Sequence, residues 1–327
     1  MNSALNQNPV TGETLAIALK AVADPLRLAI LRLMAQDSFG VLELAGLFDM
    51  PQSGMSHHLK VLTKGGWIAS RREGNSNFYR RQLVASHWPL ANTRTALLAD
   101  LDQQPLAPAL VDGLQQLYAE RSKTSQAFFA ENAQKFHAQQ DLIASFPVYG
   151  DSVCEMLGHL FPATARHAIE VGPGAGELLP WLSQRFERVT ALDNAPEMLA
   201  QARDNNRTLH NVTFIEGDTR TGVNQGFKAD CVVTNMVLHH TPSPAEVFSD
   251  LASMLEPGGQ LVVTDLCRHD QSWARDACGD LWQGFEPEEF SGWAQRAGLI
   301  EGQSNYFALR NGFQIQLRQF RLANSIQ

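Results

Sequence analysis

"EVGPGAGELLP", residues 170–180, decides the fold. The apolar run "HAIEV" leads into Gly172-x-Gly174-x-Gly176, and the helical pattern "AGELLPWLSQRF" follows. Strand, glycine turn and helix in that order place bare main chain at the carboxyl end of the first strand of an α/β sheet. Ligands of doubly wound sheets bind there, and glycine lets them approach the backbone because no Cβ intervenes. The spacing separates ligand classes. A dinucleotide fingerprint, GxGxxG, needs its third glycine where Glu177 stands, and a P-loop needs GKS or GKT, which is absent. A carboxylate at Glu170, just before the turn, suits a ligand with a positive charge better than a pyrophosphate.

Downstream residues extend the pattern. Asp193 lies twenty-one positions after Gly172, at the end of "RVTALD", where an acid can accept from both ribose hydroxyls. Asp218 in "EGDTR" is placed to accept from an adenine amino group, and Asn235 ends the strand "CVVTN" beside the same crevice. "GQLVVTDL" is a further strand, "EPEEFSGWAQRAG" a helix, and "YFALR-NG-FQIQLRQF" a closing hairpin. Alternation of this kind predicts an open α/β sheet.

From about 166 to 323 the chain resembles the class I S-adenosylmethionine-dependent methyltransferases. The glycine loop, the acid at Asp193 with the following "NAPEML", the acid at Asp218 and the segment "NMVLHHTPSP" carry the likeness. The resemblance implies a Rossmann-like sheet of seven strands with an antiparallel last strand. It also implies S-adenosylmethionine or S-adenosylhomocysteine as ligand, held by Glu170, Gly172, Gly174, Gly176, Asp193, Asn194, Met198, Asp218, Thr219, Asn235 and Met236. His239-His240 invites a catalytic reading, but adjacent histidines on irregular backbone point different ways. No catalytic residue is assigned. His269, Trp273, Arg275, Asp280 and Trp282 either line a substrate site or form a capping helix.

A second pattern precedes this one. Asp24-Pro25 reads as a helix start, acid cap before a first-turn proline. Helices are predicted to Met34, over "VLELAGLF" (41–48) and over "QSGMSHHLKVLTK" (52–64), with Gly65-Gly66 closing the last. "WIASRR" and "NFYRRQL" flank Glu73-Gly74-Asn75-Ser76, a hairpin signal. This is the order of a winged helix-turn-helix. Met55, Leu59 and Leu62 form its buried stripe, leaving Gln52, Ser53, Ser56, His57 and Lys60 for a DNA groove, with Arg71, Arg72, Arg80 and Arg81 on the wing for phosphates. "ADPLRLAILRLM" and "MSHHLKVLTKGGWI" with "REGNSNFYR" resemble the ArsR family of winged-helix repressors. Metal-sensing members place a Cys-x-Cys pair where this chain has Gly40 and Leu42, so no soft-metal site of that kind is expected. The likeness implies a homodimer on an inverted-repeat operator.

Composition fits both halves. At 327 residues, 44% hydrophobic and 18% charged, the chain has the size of two soluble domains. No apolar run approaches a bilayer span, the start lacks a secretory pattern, and a cytoplasmic protein is expected. Residues 1–82 hold nine Lys/Arg against six Asp/Glu, a balance of +3, while the rest holds seventeen against twenty-eight, −11. A basic module on an acidic body suits a protein that touches DNA at one end only. The four cysteines form no CxxC pair and are expected as free thiols, without metal. The expected division is a lead-in over 1–12, a winged helix over 13–84, a helical linker, dimerisation and ligand-lid region over 85–160, and the methyltransferase-like domain over 161–327. Two functions stay open: a transcriptional regulator of methionine-cycle genes with the adenosyl compound as effector, or an active small-molecule methyltransferase fused to a repressor. The regulator is preferred, since the DNA module gives ligand binding an output.

Overall fold

A computed structural model of the chain describes residues 11–73, 76–82 and 90–323, with the side chains of 133–139 and 276 left undescribed. The chain divides into two compact units, Met1–Leu117 and Tyr118–Gln327. The division falls inside the stretch 85–160.

The first unit is a winged helix. Helices α1 (Gly12–Val22) and α2 (Pro25–Leu33) are separated by a cap in which the Asp24 carboxylate accepts from Arg27 N–H at 3.0 Å. Strand β1 (Phe39–Gly40) precedes α3 (Val41–Leu47) and α4 (Gln52–Lys64), and β2 (Ile68–Glu73) pairs antiparallel with β3 (Ser76–Arg81) as the wing. The hairpin tip at Gly74-Asn75 lies outside the described residues. Met55, Leu59 and Leu62 of α4 are fully buried with Ile30, Leu31 and Leu44, so the stripe at i, i+4, i+7 anchors the helix. Trp67 follows, its Nε1–H donating to Ala18 C=O at 2.8 Å. Strand β1 is a departure: Phe39 and Gly40 pair with Tyr79 and Phe78 of the wing. Two residues carry no period-2 pattern, and only long-range pairing defines them. Helix α5 (Ala91–Asp102) begins inside "HWPLANT", whose start at 87–89 is outside the described residues. Arg94 of α5 is buried, and its guanidinium donates to the carbonyls of Gly65 (2.9 Å) and Gly66, capping the chain where α4 ends.

Helix α6 (Pro108–Ala144) starts in the first unit and continues into the second. Pro108 stands at its start, where a missing N–H costs nothing. Helix α7 (Phe146–Leu160) then leads to the sheet: β4 (Ala165–Val171), α8 (Leu179–Arg185), β5 (Phe186–Asp193), α9 (Pro196–Asn205), β6 (Val212–Glu216), α10 (Thr219–Asn224), β7 (Ala229–Asn235), α11 (Pro244–Ser253), β8 (Leu255–Leu266), α12 (Trp273–Cys278), α13 (Pro287–Arg296), β9 (Leu299–Ala308) and β10 (Gln314–Leu322). The seven strands run in the order β6-β5-β4-β7-β8-β10-β9, with β10 antiparallel to both its neighbours. The second unit is therefore a Rossmann-like α/β domain with an antiparallel last strand. Strand order reverses between β4 and β7, the position where such sheets open a crevice. The central strands are apolar throughout, as a sheet covered on both faces requires: Ala168, Ile169, Cys231, Val232, Val233, Leu261, Val262 and Val263 have no exposure.

Candidate functional site

At the carboxyl ends of β4, β5 and β7 lies a cavity of about 570 Å³. The glycine loop forms its floor. Gly174 takes φ +57°, and a Cβ there would meet nothing within 4 Å, so the loop opens onto empty space rather than packing. Gly176, at φ +80°, serves the opposite purpose. A Cβ there would strike the Asn206 amide, which donates to Gly176 C=O at 3.1 Å, and Gly176 is not among the cavity's lining residues. Its carbonyl and Cα are turned to α9 rather than to the cavity. Its job is to let α9 close on the loop.

The other ten expected residues all line the cavity: Glu170, Gly172, Gly174, Asp193, Asn194, Met198, Asp218, Thr219, Asn235 and Met236. They differ in what they can offer. Glu170 is 3% exposed and its Oε2 has no partner. Burial, then the nearby Glu177 carboxylate, push its carboxyl well above the ordinary range. An orphaned acid of this kind is stabilised by an arriving cation. Asn235 is similar: its Oδ1 accepts from Thr264 Oγ–H at 2.7 Å, while its buried Nδ2 has no partner. Asp193 closes β5, and Oδ1 accepts from Ala195 N–H at 2.9 Å. Burial raises its carboxyl to about 6, against the lowering effect of the Ala195 and Asn194 amides. Asp218 caps α10, taking Thr221 N–H (2.8 Å) and Thr221 Oγ–H (2.7 Å) on Oδ1, which leaves Oδ2 for a ligand. Thr219 donates its hydroxyl to Asp250 at 3.0 Å and presents no free donor of its own. Met236 sits at φ +56°, a left-handed conformation strained for a side chain with a Cβ.

Helices α6 and α7 supply wall residues that periodicity alone does not single out, among them Tyr118, Ser122, Ser125, Phe129 and Tyr149. Their signal was hidden because α6 is polar on most of its surface. The two histidines turn inward. His239 is 1% exposed, and its Nδ1–H donates to Asp265 at 2.6 Å. Burial opposes its charged form, but Asp265 and Asp280 outweigh that and hold the imidazole above its usual range. His240 directs Nδ1–H to Gly279 C=O at 3.3 Å and is kept neutral by burial and by His239. Both therefore fasten the chain around 238–241 to that around 279–282. The segment after β8 is tied to the chain around 239–241, where Leu281 and Trp282 N–H donate to His239 C=O and Trp282 Nε1–H to Thr241 C=O. Asp280 and Trp282 are buried and Trp273 is half exposed, and none of His269, Trp273, Arg275, Asp280 or Trp282 lines the cavity.

In the first unit Gln52, Ser53, Ser56, His57 and Lys60 are all exposed along α4. A groove lined by Ser56, Lys60, Thr63, Lys64, Ser70 and Tyr79 runs between α4 and the wing. Thr63, Lys64, Ser70 and Tyr79 were missed because they belong to two elements that meet only in the fold. Two of the wing arginines are engaged within the fold. Arg71 is 5% exposed and forms an ion pair with Glu73, itself 1% exposed. Arg81 makes a two-point contact with Asp102, at 2.9 and 2.6 Å, and donates to Leu31 C=O at 2.7 Å. Neighbouring strand residues face opposite ways, so Arg71 and Arg72 could not both meet phosphate. Arg72 is the exposed one. Arg80, opposite Ala69, shares the face of Arg71 and is half-buried. Arg71→Ala should therefore cost stability more than DNA contact. It removes the charge that pairs with the buried Glu73 carboxylate, and breaking a buried ion pair is destabilising; a large drop in the melting temperature of the protein checks this. An unchanged melting temperature would return Arg71 to the surface set.

Two family models match the chain, a helix-turn-helix domain over residues 22–71 and a methyltransferase domain over 169–263. The relatives divide the same way. An uncharacterised HTH-type transcriptional regulator of Methanocaldococcus jannaschii is 43% identical over 68 residues, 20% of this chain and 76% of that protein. A ubiquinone biosynthesis O-methyltransferase of Xanthomonas axonopodis pv. citri is 31% identical over 160 residues, 43% of this chain. The chain spans 64% of that relative's length. Among solved structures, the N-methyltransferase NodS of Bradyrhizobium japonicum with S-adenosyl-L-homocysteine is 16% identical, with a TM-score of 0.45 over 57% of this chain and 97% of that one. No helix among the described residues is long and apolar enough to cross a membrane. The chain belongs to the helix-turn-helix transcriptional regulators of the ArsR type, joined in one polypeptide to a class I methyltransferase domain.

Proposed function

We propose that this protein is a cytoplasmic DNA-binding regulator whose methyltransferase domain takes S-adenosylmethionine or S-adenosylhomocysteine as its effector. One observation carries the reading: a buried Glu170 oxygen without a partner faces a cavity floored by bare main chain, in a chain whose first unit is a DNA-binding module. Glu170 would take the ligand's ammonium, Asp193 the ribose hydroxyls, Asp218 the adenine amino group and Asn235 Nδ2 an acceptor on the ligand. Each is a group whose own hydrogen-bonding is incomplete or whose charge burial disfavours, so the ligand completes the site rather than competing with it. A homodimer reading an inverted repeat, with Gln52, Ser53, Ser56 and His57 at base edges and Lys60, Lys64 and Arg72 on phosphates, is the DNA-bound form. Genes that make or consume the methyl donor are the targets that such an effector would serve.

Calorimetric titration with each adenosyl compound tests the ligand. A cation beside Glu170 lowers that carboxyl's raised proton affinity, so binding releases protons and the affinity rises with pH. Asp193, raised to about 6, acts in the same direction, since its ionised form is the better acceptor, and affinity should fall as pH drops through that value. The binding heat should therefore vary with the buffer's ionisation enthalpy in the sense of proton release. Proton uptake, or none, would remove Glu170 from the ammonium site.

The match to a methyltransferase domain favours a second reading, in which the site also transfers the methyl group. The sulfonium supplies an activated methyl, so alignment of an acceptor is most of what the protein must add. Turnover of any member of a metabolite panel would establish it.

A further inference from the structure

We propose that Arg121 and Ser125 of α6 form a latch on the cavity wall through which ligand binding is passed to the DNA-binding unit. The proposal rests on the effector reading above. Helix α6 begins at Pro108 in the first unit and carries Tyr118, Ser122, Ser125 and Phe129 along the cavity in the second.

The attachment is made to backbone. Arg121 is 8% exposed, and its Nη1–H donates to Pro242 C=O at 2.9 Å. Ser125 is equally enclosed, and its hydroxyl donates to His240 C=O at 3.1 Å. The Arg121 guanidinium also lies over the Trp282 ring, 5.0 Å from its centre, and Trp282 Nε1–H donates to Thr241 C=O at 2.8 Å. Three successive carbonyls, of residues 240, 241 and 242, are thus held by buried donors. Thr241, Pro242 and Ser243 themselves line the cavity. The wall that a ligand would touch is the wall that α6 grips.

The grip is stiff on its far side. Asp265, at the end of β8, accepts Leu238 N–H at 2.8 Å and His239 Nδ1–H at 2.6 Å. Leu281 and Trp282 N–H both donate to His239 C=O, at 2.9 and 3.1 Å. The side of 240–242 away from α6 is thus fastened by four hydrogen bonds, so α6 is the partner left to follow a shift there. At the head of the same segment stands Met236 in its strained left-handed conformation, next to Asn235. Strained backbone of this kind clusters at ligand clamps and switch regions. A buried guanidinium tolerates few positions, because leaving its donors unmatched is costly. The helix is therefore either seated with its donors satisfied or displaced by a discrete step, which is what coupling between distant sites requires.

The test is a linkage measurement on the full chain, using S-adenosylmethionine and S-adenosylhomocysteine and a duplex selected from a random-sequence pool by the wild-type protein. Wild type should show a ligand-dependent change in duplex affinity of about fivefold or more. Arg121→Met keeps the stem on Trp282 but loses the donors, and Ser125→Ala loses one hydroxyl. Both should shrink that factor at least threefold, with the factor read between ligand-saturated and ligand-free protein so that any change in ligand affinity at the cavity-lining Ser125 does not enter it, while ligand-free duplex affinity stays within threefold. Ser125→Thr, which retains the hydroxyl, should restore it. A role confined to helix packing would lower stability and leave the coupling factor intact. If Arg121→Met does not fold, the Ser125 pair decides alone. Variants that keep the full factor overturn the latch by itself, whereas a wild type that binds both ligands without any change in duplex affinity overturns the effector reading and the latch together.

Discussion

Asp193→Ala should abolish adenosyl-ligand binding, with a loss of at least 100-fold, and leave the domain folded. The side chain ends β5 inside the cavity and receives one backbone amide on Oδ1. In the proposed complex a carboxylate there would accept from two ribose hydroxyls, and hydrogen bonds to charged groups contribute about 1.5–3 kcal/mol each, so two together span roughly two to four powers of ten. The effect on folding has the opposite sign. The carboxyl's proton affinity is raised in the fold to about 6, chiefly by burial. An acid raised above its unfolded value gives its full stability below the unfolded pKa, and that stability is lost as pH rises through the folded one. At neutral pH the ionised Asp193 is therefore a liability of the empty domain. Alanine should leave the melting temperature of the unliganded protein equal or slightly higher while removing the shift that ligand produces. Calorimetry beside a melting curve separates the two effects, and an affinity within threefold of wild type would take Asp193 out of the site.

Lys60→Ala combined with Lys64→Ala should give the largest loss of DNA binding among the surface changes. Both are exposed on α4 and line the groove that faces Ser70 and Tyr79 of the wing. A strand of DNA backbone seated there releases counterions in proportion to the phosphates neutralised, with a slope of about −0.9 per contact. Removing two contacts should flatten the dependence of log affinity on log salt by about two and weaken specific and non-specific duplexes alike. Base-edge readers behave differently: Gln52 or His57 variants should relax sequence preference with the slope unchanged. If the double lysine variant keeps the wild-type slope, the groove does not carry the backbone.

Much of this was legible in residues that act locally. Asp24-Pro25 caps α2 as read, α4 occupies the span 52–64, and the glycine loop opens on a cavity lined by ten of eleven expected residues. What escaped depends on partners distant in the chain. Strand β1 exists because Phe39 and Gly40 meet the wing. Arg81 is drawn to Asp102 twenty-one positions on, and the grip of Arg121 on Pro242 spans 121. The inward placement of Arg71 was itself legible, since consecutive strand residues cannot share a face and Arg72 takes the outer one. The polar surface of α6 concealed its cavity face, because a helix whose buried side meets a ligand site lacks the apolar stripe that marks a core helix.

Duplex affinity measured with and without saturating S-adenosylmethionine or S-adenosylhomocysteine, in wild type and in Asp193→Ala, addresses the central claim most directly. The regulatory reading predicts a ligand-dependent change in wild type that disappears in Asp193→Ala, with ligand-free affinity the same in both. Duplex affinity that ignores both compounds in a wild-type protein shown to bind them would contradict it and leave methyl transfer as the role of the second unit.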